Sequence, residues 1–138
     1  MRNYILVAAS ACALLASCGE PTKTVTEFKA DEEARIGALA KCRENPGAWD
    51  TTPNCGNAEA ATRQMIEDVH QAAIDEAKPL QDRIVEISRA CLTVPPMERQ
   101  SCNQQYVAES QELTAQTREI ADRSNARKRE LAAQIQRR

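Results

Sequence analysis

The stretch from Pro53 to Val94, PNCGNAEAATRQMIEDVHQAAIDEAKPLQDRIVEISRACLTV, decides the fold of this chain. Apolar residues recur in it at steps of three and four, which is the period of one helix face. The pattern predicts one long helix with a seam close to that of a coiled coil. Pro79 interrupts the run, but the stripe keeps its phase across it, so we expect a kink, with a break into two helices as the alternative. The stripe comprises Ile66, Val69, Ala73, Ala77, Leu80, Ile84, Ile87 and Cys91.

A helix is predicted on each side of this stretch. Residues 25–43 carry an apolar spacing through Phe28 and Leu39, and Asn45-Pro46-Gly47 ends that helix. Val94-Pro95-Pro96 ends the second helix and begins the third. We expect the third helix beyond about Ala126 to fray or stand alone in water. Its weaker stripe mixes hydroxyls with aliphatic side chains: Tyr106, Ser110, Leu113, Thr117, Ile120, Ser124, Leu131 and Ile135.

The composition predicts thin packing of these helices. After residue 17 the chain has only three aromatic side chains, and alanine, glutamine, glutamate and arginine dominate. Such a chain forms helices readily but cannot fill a wide core. We therefore predict an all-α fold of elongated antiparallel helical hairpins, with three long helices, the second of them kinked at Pro79.

The N-terminus predicts export and lipid attachment. Arg2 precedes a short apolar run that is too short to span a bilayer and is typical of a secretory signal. The run ends at Leu15-Ala16-Ser17-Cys18, which resembles the lipobox of bacterial lipoproteins, whose cysteine is acylated, as with palmitate. Residues 1–17 are then a signal peptide, residues 18–24 a tether, and residues 25–138 a single helical domain. Since Gly19 follows Cys18, the outer membrane is favoured over the inner one for this periplasm-facing protein.

Four cysteines remain after the signal peptide and the acylated Cys18 are set aside. In an oxidising compartment this number predicts two disulfides, although four cysteines allow three connectivities. Cys55 and Cys91 lie 36 residues apart on the second helix, about 54 Å, so they cannot pair unless the chain folds back at Pro79. The expected pairs are local, Cys42–Cys55 and Cys91–Cys102. Each should contribute about 3 kcal/mol of stability.

Two segments around the first cysteine pair resemble a known family. Cys42-Arg43-Glu44-Asn45-Pro46-Gly47 and Pro53-Asn54-Cys55-Gly56-Asn57-Ala58 are similar to segments of the entry-exclusion lipoproteins of conjugative plasmids. The resemblance covers residues 25–61 and extends upstream to the residues named at the end of this paragraph. Asp31 stands where the family pattern has histidine, and the helical extension 62–138 is longer than that pattern. The upstream matches are Val25, Phe28, Glu32 or Glu33, Arg35 and Leu39.

The resemblance implies a cell-envelope protein that prevents a plasmid-bearing cell from accepting the same plasmid again. It would bind and block a component of the incoming donor's type IV secretion apparatus. Its expected binding surface is the connection between the first two helices, where a disulfide holds the loop in order and tryptophan is a frequent hot-spot residue. The alternative is that Trp49 packs into the end of the bundle. The candidate partner-binding residues are Asn45, Pro46, Gly47, Trp49, Asp50, Pro53 and Asn54.

The position expected for this connection follows from a simple layout. If the first helix runs outward from the lipid tether, the connection lies farthest from the membrane and Val94-Pro95-Pro96 returns near the lipid. A second candidate surface is the basic C-terminal end, which could touch anionic lipid, peptidoglycan or an acidic partner. We favour a solvated helix end for it. Its cations are Arg123, Arg127, Lys128, Arg129, Arg137 and Arg138.

The residues predict no enzymatic chemistry. His70 is the single histidine, so no serine or cysteine nucleophile has an imidazole beside it, and the four cysteines are expected to be paired. We expect no metal site, cofactor, small-molecule substrate or nucleic-acid partner. The leading alternative function is a structural coiled-coil lipoprotein of the envelope, a spacer or assembly subunit with no role in exclusion.

Overall fold

A computed structural model describes residues 20–136, apart from the side chains of Trp49 and Asp50. The described chain is mostly helical and contains no strand, which confirms the all-α class. Two long helices, α4 and α5, follow three short ones. The bounds are α1 Val25–Ala30, α2 Glu32–Glu44, α3 Ala48–Thr51, α4 Pro53–Thr93 and α5 Pro96–Gln134.

The long helices α4 and α5 pack against each other and run in opposite directions. Arg83 of α4 contacts Glu109 of α5 at 3.1 Å, and the Ser124 hydroxyl of α5 donates to the Val69 carbonyl of α4 at 3.4 Å. Earlier residues of α4 therefore contact later residues of α5, as expected for antiparallel helices. Every position of the predicted stripe on α4 is buried or half-buried. Pro79 lies inside α4, which is one helix through that residue, so the alternative of two separate helices is wrong.

The first predicted helix, residues 25–43, is divided at Asp31. This residue ends α1 and caps α2 in an extended conformation, and its carboxylate accepts a hydrogen bond from the Ala34 N–H. Aspartate is a strong N-cap residue because its side chain satisfies a backbone donor that has no partner inside the helix. Thr24 and Glu27 form a capping box at the start of α1. The chain therefore reverses at Asp31 instead of continuing as one rod.

The densest core lies at one end of the long helices, where α1, α2 and α3 pack against the beginning of α4. Ile135 packs against this cluster and Leu131 of α5 is fully buried. The expectation that α5 frays beyond Ala126 is therefore wrong, because its last turns meet the short helices. The buried members of the cluster are Phe28, Leu39, Cys42, Cys55, Ala58 and Ala61.

Both predicted cysteine pairs are confirmed. The α-carbons of Cys42 and Cys55 are 5.9 Å apart and those of Cys91 and Cys102 are 5.6 Å apart, and each pair forms a disulfide. One bond joins α2 to the first turn of α4, and the other joins the end of α4 to the first turns of α5. Each therefore lies at a point where the chain changes direction.

None of the helices between residues 20 and 136 combines the length and the apolar character needed to cross a membrane. The predicted signal peptide 1–17, the predicted acylation site Cys18, and the last two basic residues, Arg137 and Arg138, lie outside the described residues.

Candidate functional site

The connection between α2 and α4 is short and ordered by backbone hydrogen bonds. The Asn45 N–H donates to the Lys41 carbonyl and closes α2, and the Ala48 N–H donates to the Asn45 carbonyl at 2.8 Å. The Thr51 hydroxyl donates to the Gly47 carbonyl at 2.9 Å. Together with the Cys42–Cys55 disulfide these bonds hold the loop in one shape, so little conformational entropy remains to be lost on binding.

Four of the seven predicted binding residues present their side chains or backbone to solvent on this connection. Asn45, Pro46 and Gly47 are exposed after α2, and Pro53 is exposed in the first turn of α4. The side chains of Trp49 and Asp50 lie outside the described part of the chain, so their expected contacts stay predictions. The exposed part of the connection that the structure describes therefore includes the turn Asn45-Pro46-Gly47 and Pro53 at the start of α4.

Asn54, the remaining predicted binding residue, is occupied within the protein. Only 9% of it is exposed. Its side-chain carbonyl accepts from the Lys23 N–H at 2.8 Å, and its amide donates to the Pro21 carbonyl at 3.1 Å. Asn57 donates to the Lys23 carbonyl at 2.7 Å. The asparagines of the second family-like segment therefore clamp the N-terminal segment to α4.

These contacts correct the expected position of the connection. Glu20 lies within 3.0 Å of Lys41, close to the disulfide end of α2, and Pro21 lies at Asn54. Glu20 follows Cys18 by two positions, so at most about 7 Å of extended chain separates them. The connection is therefore near the predicted lipid, not farthest from it, because α1 and α2 fold back on each other at Asp31. The turn Val94-Pro95-Pro96 lies at the opposite end of α4.

Arg35 is the least expected feature of this end of the molecule. Its side chain is fully buried, and its Nη1 donates to the Phe28 carbonyl at 3.1 Å. Its Nη2 lies 3.5 Å from Glu32, but neither Nη2 nor Nε has a hydrogen-bond partner among the residues that the structure describes. The sequence pattern places Arg35 on the inner face of the first predicted helix, yet a charged residue there is usually expected at the rim. The guanidinium instead fastens α2 to α1 from inside.

The basic C-terminal end is partly used in structural contacts. Arg127 pairs with Glu130 at 2.7 Å and lies 3.6 Å from Glu32, and Arg123 pairs with Glu76 at 2.8 Å. The hydrogen bond that Arg127 donates to the Glu130 carboxylate raises the pKa of Arg127 above its ordinary value. Arg127 thus connects α5 to α2 through Glu32, the carboxylate that also faces Arg35. Within residues 20–136, Lys128 and Arg129 make no ion pair.

The described residues contain no group of three or more histidine, cysteine, aspartate or glutamate side chains placed to hold a metal ion. His70 is exposed on α4 and lines an open groove beside Ala73 and Lys128. Several carboxylates on α4 and α5 take part in ion pairs along or between the helices, such as Lys78–Asp82 and Arg83–Glu109.

Comparisons of this chain with protein-family models, with curated proteins and with solved structures find no match.

Proposed function

We propose that this chain is a lipid-anchored protein of the bacterial envelope that acts in conjugative entry exclusion. The proposal rests on the two segments Cys42–Gly47 and Pro53–Ala58 and on the lipobox-like Leu15–Cys18. The single observation that carries it furthest is the joining of the two segments by the Cys42–Cys55 disulfide, with an exposed turn between them. A loop that a disulfide holds in one shape can recognise a protein without any covalent chemistry.

In this proposal the protein faces the periplasm, held by acylated Cys18, in the outer membrane. It occupies a component of the incoming secretion apparatus through the exposed turn at Asn45, Pro46 and Gly47. The long helices form an elongated antiparallel hairpin, kinked at Pro79, that extends from the membrane. Such a shape would set the distance between the bilayer and whatever the far end meets.

A second candidate, a structural spacer, is favoured by the length of α4 and α5. They contain 41 and 39 residues, about 60 Å each. The Cys42–Cys55 disulfide fixes α2 to the start of α4, and the Cys91–Cys102 disulfide fixes the end of α4 to the start of α5. A spacer needs length and stiffness and no specific loop. The two functions differ in specificity, because a spacer is indifferent to which plasmid arrives.

The deciding experiment expresses the chain alone in a plasmid-free recipient and measures the frequency of transfer from donors with different secretion systems. An exclusion factor lowers transfer from one system by a large factor and spares the others. Trp49→Ala and Asp50→Ala should weaken this effect at matched expression. Pro95→Ala and triple alanine substitution of residues 127–129 should leave it largely intact.

Two results would contradict the proposal. Unchanged transfer from every donor would favour the spacer, and loss of exclusion only in the tail variants would move the binding surface to α5. Cys18→Ser tests the anchor separately, scored by fatty-acid labelling and fractionation. A Cys18→Ser protein that remains membrane-bound and fully active would show that the lipoprotein interpretation is wrong.

A further inference from the structure

The contact line between α4 and α5 has two unlike edges. On one edge, Arg83 pairs with Glu109 and Arg123 pairs with Glu76. At 100° per residue, Ile74, Val85 and Leu92 lie on the face of α4 about 170° away from Glu76 and Arg83. The buried residues of α4 lie between these two faces. One edge of the helix pair is therefore closed by ion pairs between α4 and α5, and among residues 20–136 no ion pair joins the two helices along the other edge.

The open edge is an apolar groove in two adjoining parts. The part near the short helices has a volume of about 440 Å³ and includes Ile74, Ala77 and Ile120, and the part near the far turn has about 570 Å³ and includes Leu92 and Val107. Large apolar side chains are unusually exposed along it: Ile74 by 45%, Leu92 by 67% and Val107 by 51%. Val85, on the same face of α4 as Ile74 and Leu92, is exposed by 46%. Exposed apolar residues gathered on one face indicate an interaction surface.

The molecule itself shows how helices pack on this fold. Near the Cys55 end, α1 and α2 pack against the first part of α4 and bury Phe28 and Leu39. Glu32 of α2 supplies a carboxylate to Arg127 of α5, and Lys29 of α1 pairs with Asp68 of α4. A helix that packs on this fold therefore combines an apolar stripe with charged side chains that form ion pairs with the long helices.

The charges on the open edge point to an acidic occupant. Lys78 and Asp82 line the groove but neutralise each other at 3.0 Å. Lys128 lines the same part, and Arg118 lines the adjoining surface, and neither has an ion-pair partner among residues 20–136. The uncompensated charge of the groove is positive. A second copy of the chain would present the same two cations, so self-association brings like charges together.

We propose that this groove binds one amphipathic α-helix of another protein, with an apolar stripe flanked by aspartate or glutamate. The groove runs from His70 to Leu92, 22 residues of α4 or about 33 Å, which fits a partner helix of about 22 residues. Recognition of an amphipathic helix in a groove uses apolar anchors at steps of three and four. This interface is separate from the α2–α4 connection and does not depend on exclusion.

The test uses the purified, disulfide-bonded chain and two designed 22-residue helical peptides. Both peptides carry the same leucine stripe, but one has glutamate and the other lysine beside the stripe. Fluorescence anisotropy should show the glutamate peptide binding at least ~10-fold more tightly at low salt, with the difference shrinking as salt is added. The double variant R118E/K128E should reverse the preference, and Val107→Glu should weaken both peptides. Arg129→Glu, an exposed change on the same helix outside the groove, should leave the preference unchanged.

Three results would overturn the proposal. Absence of binding, equal binding of the two peptides, or a preference that survives R118E/K128E would each show that the groove does not select an acidic helix. A dimer in sedimentation equilibrium that Leu92→Glu and Val107→Glu dissociate would assign the groove to a second copy instead. Because no step measures plasmid transfer, failure here leaves the exclusion proposal standing, and the reverse is also true.

Discussion

Asn54 and Lys23 are joined by a hydrogen bond of 2.8 Å across 31 residues of sequence. The Asn54 side chain accepts it from the Lys23 backbone while donating its own amide to the Pro21 carbonyl. These two hydrogen bonds satisfy backbone groups of the N-terminal segment that have no partner within a helix. It brings the segment that follows the predicted lipid site to the first turn of α4.

Replacing Asn54 with alanine should release this segment. Two hydrogen bonds are lost, so the free energy of unfolding should fall by about 1–3 kcal/mol. Backbone amides between residues 20 and 30 should exchange with solvent faster, while those in the middle of α4 should be unaffected. Gln104→Ala, an exposed change on α5, is the control. Unchanged exchange in the N-terminal segment would show that Asn54 does not hold it.

Arg35 should tolerate replacement by methionine. The guanidinium is fully buried and donates one hydrogen bond within residues 20–136, where Nε and Nη2 have no hydrogen-bond partner, so its desolvation is poorly compensated. Apolar replacements of buried ion pairs are often neutral or stabilising. We expect Arg35→Met to match or exceed the wild-type stability, and Arg35→Ala to lose about 2–5 kcal/mol because it leaves a cavity.

Urea unfolding followed by circular dichroism distinguishes these outcomes. If Arg35→Met is as destabilising as Arg35→Ala, then the interaction of the cation with Glu32 and the Phe28 carbonyl outweighs its desolvation. Glu32→Gln provides the companion measurement, because it removes the charge that Arg35 and Arg127 share.

The helical class, the two cysteine pairs and the stripe of α4 follow from the sequence because each depends on local spacing. The spacing of apolar residues is continuous over residues 25–43 and therefore predicts one helix, without the reversal at Asp31. A signal for that reversal is nevertheless present, because an aspartate followed by Glu32 and Glu33 is a good helix start. The burial of Leu131 and the packing of Ile135 against the cluster around Phe28 are tertiary contacts, and the spacing of the α5 residues contains no information about them.

Acid should loosen the first two helices before the long ones. The Thr24 backbone N–H bonded to Glu27 lowers the pKa of that carboxyl, and the Ala34 N–H bonded to Asp31, with help from Lys23, lowers the pKa of Asp31. A lowered pKa in the folded state means that the stabilisation is complete above the unfolded pKa of about 4 and is lost as pH falls through the folded value.

The double variant E27Q/D31N isolates this effect, since asparagine still caps a helix but does not titrate. Between pH 6 and pH 3 the wild type should lose more stability than the variant, in urea unfolding followed by circular dichroism. Proteolysis near residue 31 should also rise with acid in the wild type. Parallel losses in the two proteins would mean that other carboxylates govern the acid response.

The final prediction concerns orientation at the membrane. Cys55 and Thr93 are 38 positions apart on α4, about 57 Å. Glu20 lies at the Cys55 end, because it contacts Lys41, and the next residue, Cys42, is bonded to Cys55. If Cys18 carries lipid, Pro46 lies near the headgroups and Met97, which is 96% exposed, lies far from them. A fluorophore placed at either position through a non-canonical residue should be quenched by headgroup-labelled vesicles at Pro46 and not at Met97. The Cys18→Ser protein should show no quenching at either position. Stronger quenching at Met97 would restore the layout in which the far turn returns to the membrane and would contradict the end-to-end arrangement that the Asn54 clamp implies.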